Sequence, residues 1–261
     1  MSAVPGTFEI TYKVPQRRHP VLAFALQQPL GTAGLVVIVL MILAAVFAQW
    51  VAPYDPLTVD YGNILAPPSW EHLLGTDNFG RDVFSRIIYG SQTALAVGFL
   101  SSLIGSTLGA TIGVASAYFG GRTDMIIQRF MDIILAFPII VLALAVVAVL
   151  GKNVVFGIDW NLIIAIGLPM VPKVARVVRS SALAVREMPY IDAARTAGFS
   201  HTRIIFRHIV PNVVAPYLIM LTAFVGQAIL LEASLSFLGL GVTEPTAALS
   251  LIHISEPTRP Y

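Results

Sequence analysis

Five stretches of this chain are apolar over about the thickness of a bilayer: residues 34–50, 93–118, 125–150, 161–178 and 213–238. A helix needs about 20 mostly apolar residues to cross the hydrocarbon core. Charged residues make up 11% of the chain, under half of the roughly 25% usual in soluble domains. The chain therefore reads as an all-α polytopic membrane protein built as one membrane domain, with no internal repeat. It has no cysteine, which excludes disulfides and thiolate metal sites. A net charge of +2 gives no reason to expect nucleic acid as a partner.

The charge that is present sets the topology. Lys13, Arg17, Arg18 and His19 precede the first span and place residues 1–30 in the cytoplasm by the positive-inside rule. A cleaved signal peptide is the alternative, given the small Ala44, Ala45 and Ala48, but the polar lead is too long and the apolar run too extended for one. Trp50 and Tyr54 suit an interfacial belt. Lys173, Arg176, Arg179, Arg186, Arg195, Arg203 and Arg207 form a basic segment opposed only by Glu187 and Asp192. Alternating spans put that segment inside as well, with 53–85 and 151–160 outside.

Several residues invite a functional reading. Asp77, Arg81, Asp82 and Arg86 are expected to pair charges at a helix entrance. Asp77 and Asp82 as a metal or acid–base pair would need a histidine or a third carboxylate nearby, and none is evident in the sequence. Gly105, Gly109, Gly113 and Ala117 recur every four residues, a small-residue stripe that lets another helix approach closely in lipid. Arg129 and Asp132 are candidate path or gate residues in the third span, against an intrahelical or snorkelling pair. Pro138 should bend that span, and Pro169 and Pro172 should break the fourth. Glu232 is the one carboxylate deep in the fifth span; it would line a solute path, or be paired or interfacial at the outer end.

The most polar part of the second half is PYIDAARTAGFSHTRIIFRHIVPN, residues 189–212. Its logic is helix, tight turn, helix. Pro189 suits a first turn, and Asp192 puts negative charge at the helix's positive end. Ala193, Ala194 and Ala197 are expected to offer a small-side-chain face. Gly198 sits where a left-handed residue would end the helix, and Ser200 is a candidate N-cap for the next. A soluble DNA-binding helix-turn-helix is the alternative, which the surrounding apolar spans oppose.

Asp192-Ala-Ala, then Gly198, then His208-Ile-Val-Pro211 resembles the EAA signature of bacterial ABC-importer permeases, with Asp192 for Glu, His208 for Ile and Val210 for Leu. APYDP (52–56), LGTDNFGRDVFSRIIYG (74–90) and LEASLSFLGLGV (231–242) resemble the peptide and nickel branch of that family. The resemblance covers residues 20–246 and implies a transmembrane domain over 31–246 in the bacterial inner membrane. It also implies a coupling helix near 189–198, with Asp192, Ala193, Ala194, Gly198 and Pro211 transmitting ATPase motion. The implied partners are a second homologous permease subunit, two ATP-binding cassette ATPase subunits and an extracytoplasmic solute-binding protein, all in membrane lipid. ATP and Mg would sit on the ATPase subunits. No residue here is expected to be catalytic, no metal is expected, and the sequence has no phosphate-binding G-x4-GK[ST] loop.

The implied function is ATP-driven import of di- or oligopeptides by alternating access, with nickel chelates, glutathione or haem as alternatives within the family. A secondary transporter would leave the EAA-like stretch unexplained. An intramembrane enzyme would need a polar dyad in adjacent spans, which the sequence lacks. Residues 247–261 fit no element of the family. They resemble a translated adapter, so a non-native tail and a missing sixth span are expected.

Overall fold

A computed structural model of the chain describes residues 27–155 and 157–241. The expectations for the N-terminal lead before residue 27 and for the tail at 247–261 lie outside the described residues. The chain divides into two units between Met41 and Ile42. Most of α1 (Pro29–Val46) belongs to the first, and all later elements belong to the second. α1 is apolar and 18 residues long, enough to cross a membrane. It begins five residues before the expected span and gives way at Phe47 to a separate turn, α2 (Ala48–Val51).

α3 (Val83–Phe119) has 37 residues, about 55 Å at 1.5 Å per residue. It begins ten residues before the expected span because the charged motif caps it: Asp82 Oδ2 accepts from Ser85 N at 2.8 Å and from Ser85 Oγ at 2.7 Å. It ends at Gly120, whose φ of +63° suits glycine. The fourth span is one run of 27 residues, Trp160–Arg186. It consists of α6 (Trp160–Gly167), a 3-10 turn (Leu168–Met170) and α7 (Val171–Arg186). The expected break at Pro169 and Pro172 is confined to that 3-10 turn, and the run continues through it. Each proline falls in the opening turn of its element, where the missing N–H costs no helical bond.

The glycine stripe is where α3 meets this run. A Cβ on Gly105 would lie 2.5 Å from Gly167 O, one on Gly109 2.6 Å from Val171 O, and one on Gly113 2.5 Å from Ala175 O. The contacts advance together along both helices, so the second and fourth spans run parallel. The last helix, α10 (Val210–Phe237), runs the other way: Ser102 Oγ donates to Leu221 O at 2.6 Å, and Thr107 Oγ1 and Tyr217 OH are 3.0 Å apart. These directions match spans that alternate across a membrane. Ile163, Ile166, Met170, Val174 and Val178 are fully buried, so the Trp160–Arg186 run is the centre of the packing.

The third span is broken more sharply than expected. α4 (Gly121–Leu135) and α5 (Ile139–Leu150) meet at 92° around Pro138. Proline removes a helical donor and clashes with the preceding turn. α4 turns Met131 onto Val171 and Ala175 of α7. A two-stranded hairpin, β1 (Val154–Val155) and β2 (Ile158–Asp159), then leads into α6, capped by Asp159.

Between α2 and α3 the charged motif forms a buried network. Asp77 Oδ2 accepts from Arg81 Nε at 2.7 Å and lies 3.6 Å from Arg86 Nε. The expected carboxylate–arginine pairing is present. The expectation that no histidine stands near is corrected: His72 Nδ1 is 2.9 Å from Asp82 Oδ1. Folding joins positions ten apart through a turn that has no helical or strand periodicity. Among the described residues no three His, Cys, Asp or Glu side chains cluster as a metal site.

Candidate functional site

The site lies at the end of the packed helices where α3 finishes and the basic segment begins. α8 (Pro189–Thr196) starts on Pro189 and carries Asp192 in its first turn. Its ending is a Schellman motif: Phe199 N donates to Ala194 O at 3.1 Å and Gly198 N to Arg195 O at 3.0 Å, with Gly198 at φ +76°. A side chain at residue 198 would meet open space, so backbone conformation alone demands glycine. Ser200 then caps α9 (His201–Ile204), accepting from Arg203 N at 3.4 Å.

α9 runs on through a π turn (Ile205–Ile209) into α10, giving one 37-residue run, His201–Phe237. The wide turn stands just before Pro211, which cannot donate to a regular ladder, and Pro211 sits exposed in the first turn of α10. The last span therefore begins twelve residues before the expected start.

The small-residue face differs from the expected one. Ala194 turns inward with Ile191 and is buried, while Asp192, Ala193, Thr196 and Ala197 are exposed. Residues three apart share a helix face, which groups Ala194 with Ile191 rather than with Ala193. Asp192 pairs with Arg195 at 3.0 Å on the surface. That exposed pair adds little stability and leaves the face polar.

Two contacts tie this region to the end of α3, and a third braces the loop itself. Tyr118 OH, on the last turn of α3, is 2.7 Å from His201 Nδ1. Arg186 Nη1 donates to Ala117 O at 2.6 Å, setting a cation on the negative end of α3. Arg203 lies over the Phe199 ring at 4.1 Å. Between Tyr190 and Phe199 sits His208, at ring-centroid distances of 6.0 and 6.2 Å, with Nε2 buried and unbonded among the described residues. Sequence reasoning missed Tyr118, Tyr190 and Phe199. Their only signal was aromatic character beside turns, which many unrelated positions share.

The path candidates fall elsewhere. Asp132 has its close partner on another helix, Arg176 of α7, while Arg129 is 4.0 Å away and mostly exposed. The expected intrahelical pair is therefore secondary to a tie between helices. Glu232 is buried and accepts from Ser236 Oγ at 2.6 Å, so it is paired within the packed helices.

Among the described residues this end of the fold is a short polar helix tied to the ends of long apolar ones. Residues 102–252 match the family model described as binding-protein-dependent transport system inner membrane component. Residues 26–68 match the N-terminal TM domain of oligopeptide transport permease C. A putative peptide transport system permease protein of Brucella suis is 45% identical over 82% of this chain and 71% of its own length. The glutathione transport system permease protein GsiD of an Escherichia coli strain is 42% identical over 85% of this chain and 72% of its own. Among solved structures, the inward-facing MetNI methionine ABC transporter shares the fold at TM-score 0.51 and 20% identity, over 60% of this chain and 76% of that one. With more than half of the chain inside one family model and relatives of this identity, the chain belongs to the binding-protein-dependent transport system inner membrane components and is the multi-pass, channel-forming permease subunit of an ABC importer.

Proposed function

We propose that this permease carries di- or oligopeptides and that α8 is its coupling helix, docking on the ATPase subunits from the cytoplasmic side. The observation that carries the reading is the exposed face of Asp192, Ala193 and Thr196 on a helix whose other face is anchored by Ile191 and Ala194. A push on that face passes through His201 to Tyr118 and so to α3. The peptide relative and the match to oligopeptide transport permease C support the substrate class. The glutathione relative supports a second reading within the same chemistry, since glutathione is a tripeptide.

In this reading residues 31–246 form the transmembrane domain and the N-terminus is cytoplasmic. The working assembly has a second permease subunit, two ATPase subunits that hold ATP and Mg, and a solute-binding protein outside. Closure of the ATPases draws the coupling helices together and opens the path by alternating access. The test is a reconstituted assembly with a cysteine at Ala193. Cross-linking to an ATPase subunit, with ATP-dependent uptake of a labelled tripeptide, is the expected result. Uptake that persists without ATP, or no cross-link at any position of the α8 face, would overturn it.

A further inference from the structure

α7, the second half of the fourth span, carries a stripe that does not suit lipid. Its Val171, Val174, Ala175, Val178 and Ala182 are buried. On the other side Arg176, Val177, Ser180 and Ala184 are exposed and Lys173 is partly so. They lie three, four, seven and eleven residues on from Lys173, which puts all five on one helix face. Where α1 is exposed it shows Val36, Val37, Ile38 and Leu40, side chains that lipid accepts. The α7 stripe is cationic, polar and small instead.

Two arginines on this side converge on one carboxylate. Arg176 Nη2 donates to Asp132 Oδ1, and Arg129 Nη1 lies 4.0 Å from Asp132 Oδ2. Each arginine therefore takes its own oxygen of the same carboxyl group, across the contact between α4 and α7. The three side chains are open, 79% exposed for Arg129, 44% for Asp132 and 51% for Arg176. Asp124 and Arg179, on the same two helices, differ. Two hydrogen bonds join them, Ser116 also donates to Asp124, and they are mostly covered. That pair is a closed tie, whereas the Asp132 cluster is accessible. Arg129 stands about 12 Å along α4 from its start and Arg176 about 15 Å from the end of α7, at 1.5 Å per residue. Charges set that far into spans face water or one another rather than lipid.

We infer that Arg176 and Arg129 form a carboxylate-binding subsite on the solute path and take the C-terminal carboxylate of the peptide. Asp132 is the counterion that occupies them between solutes. The inference rests on the peptide-carrying role proposed above. The arginines already hold one carboxylate between them, so a second fits the same place, and a guanidinium matches a carboxylate through paired N–H donors. Lys173, one turn from Arg176, adds positive charge, so the group as a whole favours an anion. An ion pair this exposed is weak, so exchanging Asp132 for a solute carboxylate costs little. Every peptide carries that carboxylate whatever its side chains, so the subsite tolerates any sequence.

The test uses the complete importer in nanodiscs, with Ser180→Cys in this otherwise cysteine-free chain. Ser180 is one turn from Arg176 on the same face. A water-soluble maleimide should label the cysteine. Trialanine should slow the labelling, and trialanine amide, which lacks the carboxylate, should not. Arg176→Gln should raise the trialanine concentration for half-protection at least tenfold, and Arg129→Gln severalfold. Asp132→Asn should lower it severalfold, because the competing internal carboxylate is gone. Arg176→Gln and Asp132→Asn break the same ion pair. Shifts in one direction for both, or none in either, would reduce the cluster to a tie between helices and overturn the inference. Equal protection by acid and amide would overturn it too. So would a cysteine that does not react in the assembled importer, which would assign the face to lipid or to the companion permease. A wild type that takes up trialanine with ATP and its binding protein, yet shows no protection, defeats the subsite alone. A wild type that takes up no trialanine defeats the peptide role and the subsite with it.

Discussion

Gly105 and Gly167 bring two helix backbones into direct contact: a Cβ on the first would lie 2.5 Å from the carbonyl oxygen of the second. Gly109 and Gly113 repeat the arrangement one and two turns on. In lipid, where apolar surface alone gives no preference for protein over solvent, such close packing is a main source of helix association. Gly109→Leu should force the second and fourth spans apart at a cost of about 1–3 kcal/mol, the usual range for overpacking. A lower melting temperature in detergent, against an unchanged value for the exposed Thr111→Leu, is the measurement.

Gly198→Val should strain the Schellman turn by roughly 1–2 kcal/mol, and Asp192→Lys should reverse a favourable helix-end charge. Both should lower transport and ATPase association while membrane insertion is normal. Normal transport by both would remove α8 from the coupling role.

Tyr118→Phe deletes one hydrogen bond, about 0.5–1.5 kcal/mol, and keeps the ring in place. The expected outcome is ATP hydrolysis less tightly linked to uptake, read as a higher ratio of ATP consumed to solute moved. An unchanged ratio would mean that the Tyr118–His201 contact serves packing only.

Gly80 has φ +74°, and a Cβ there would fall 1.8 Å from Asp60 O. Gly80→Ala should therefore displace the 60–65 arm. A cysteine at Ile64 in that background should react faster with a membrane-impermeant maleimide than one in the native background.

Sidedness is checked by single cysteines, since the chain has none of its own. A cysteine at Trp70 should label from outside intact cells, and one at Thr202 only after permeabilisation. External labelling at Thr202 would invert the topology and take the coupling role with it.

The apolar runs and the EAA-like stretch were legible because each is local. Hydropathy over about 20 residues is a property of the run itself. Pro189, Gly198 and Ser200 act on the backbone within one or two turns. The glycine stripe on α3 was equally plain, since a period of four needs only one helix. What the stripe meets was not: Gly167, Val171 and Ala175 carry no mark that pairs them with it.

The sequence by itself determined the membrane class, the spans in outline, the bend at Pro138 and the helix–turn–helix with its caps, because composition and short-range backbone preferences decide these. Only the tertiary structure decided that Ala194 points inward, that Asp132 answers to Arg176, that Asp82 has His72 beside it and that Tyr118 holds His201. The last three are meetings between residues 10 to 83 positions apart. A side chain's partner at that range is set by which helix faces pack together, and no single segment carries that information.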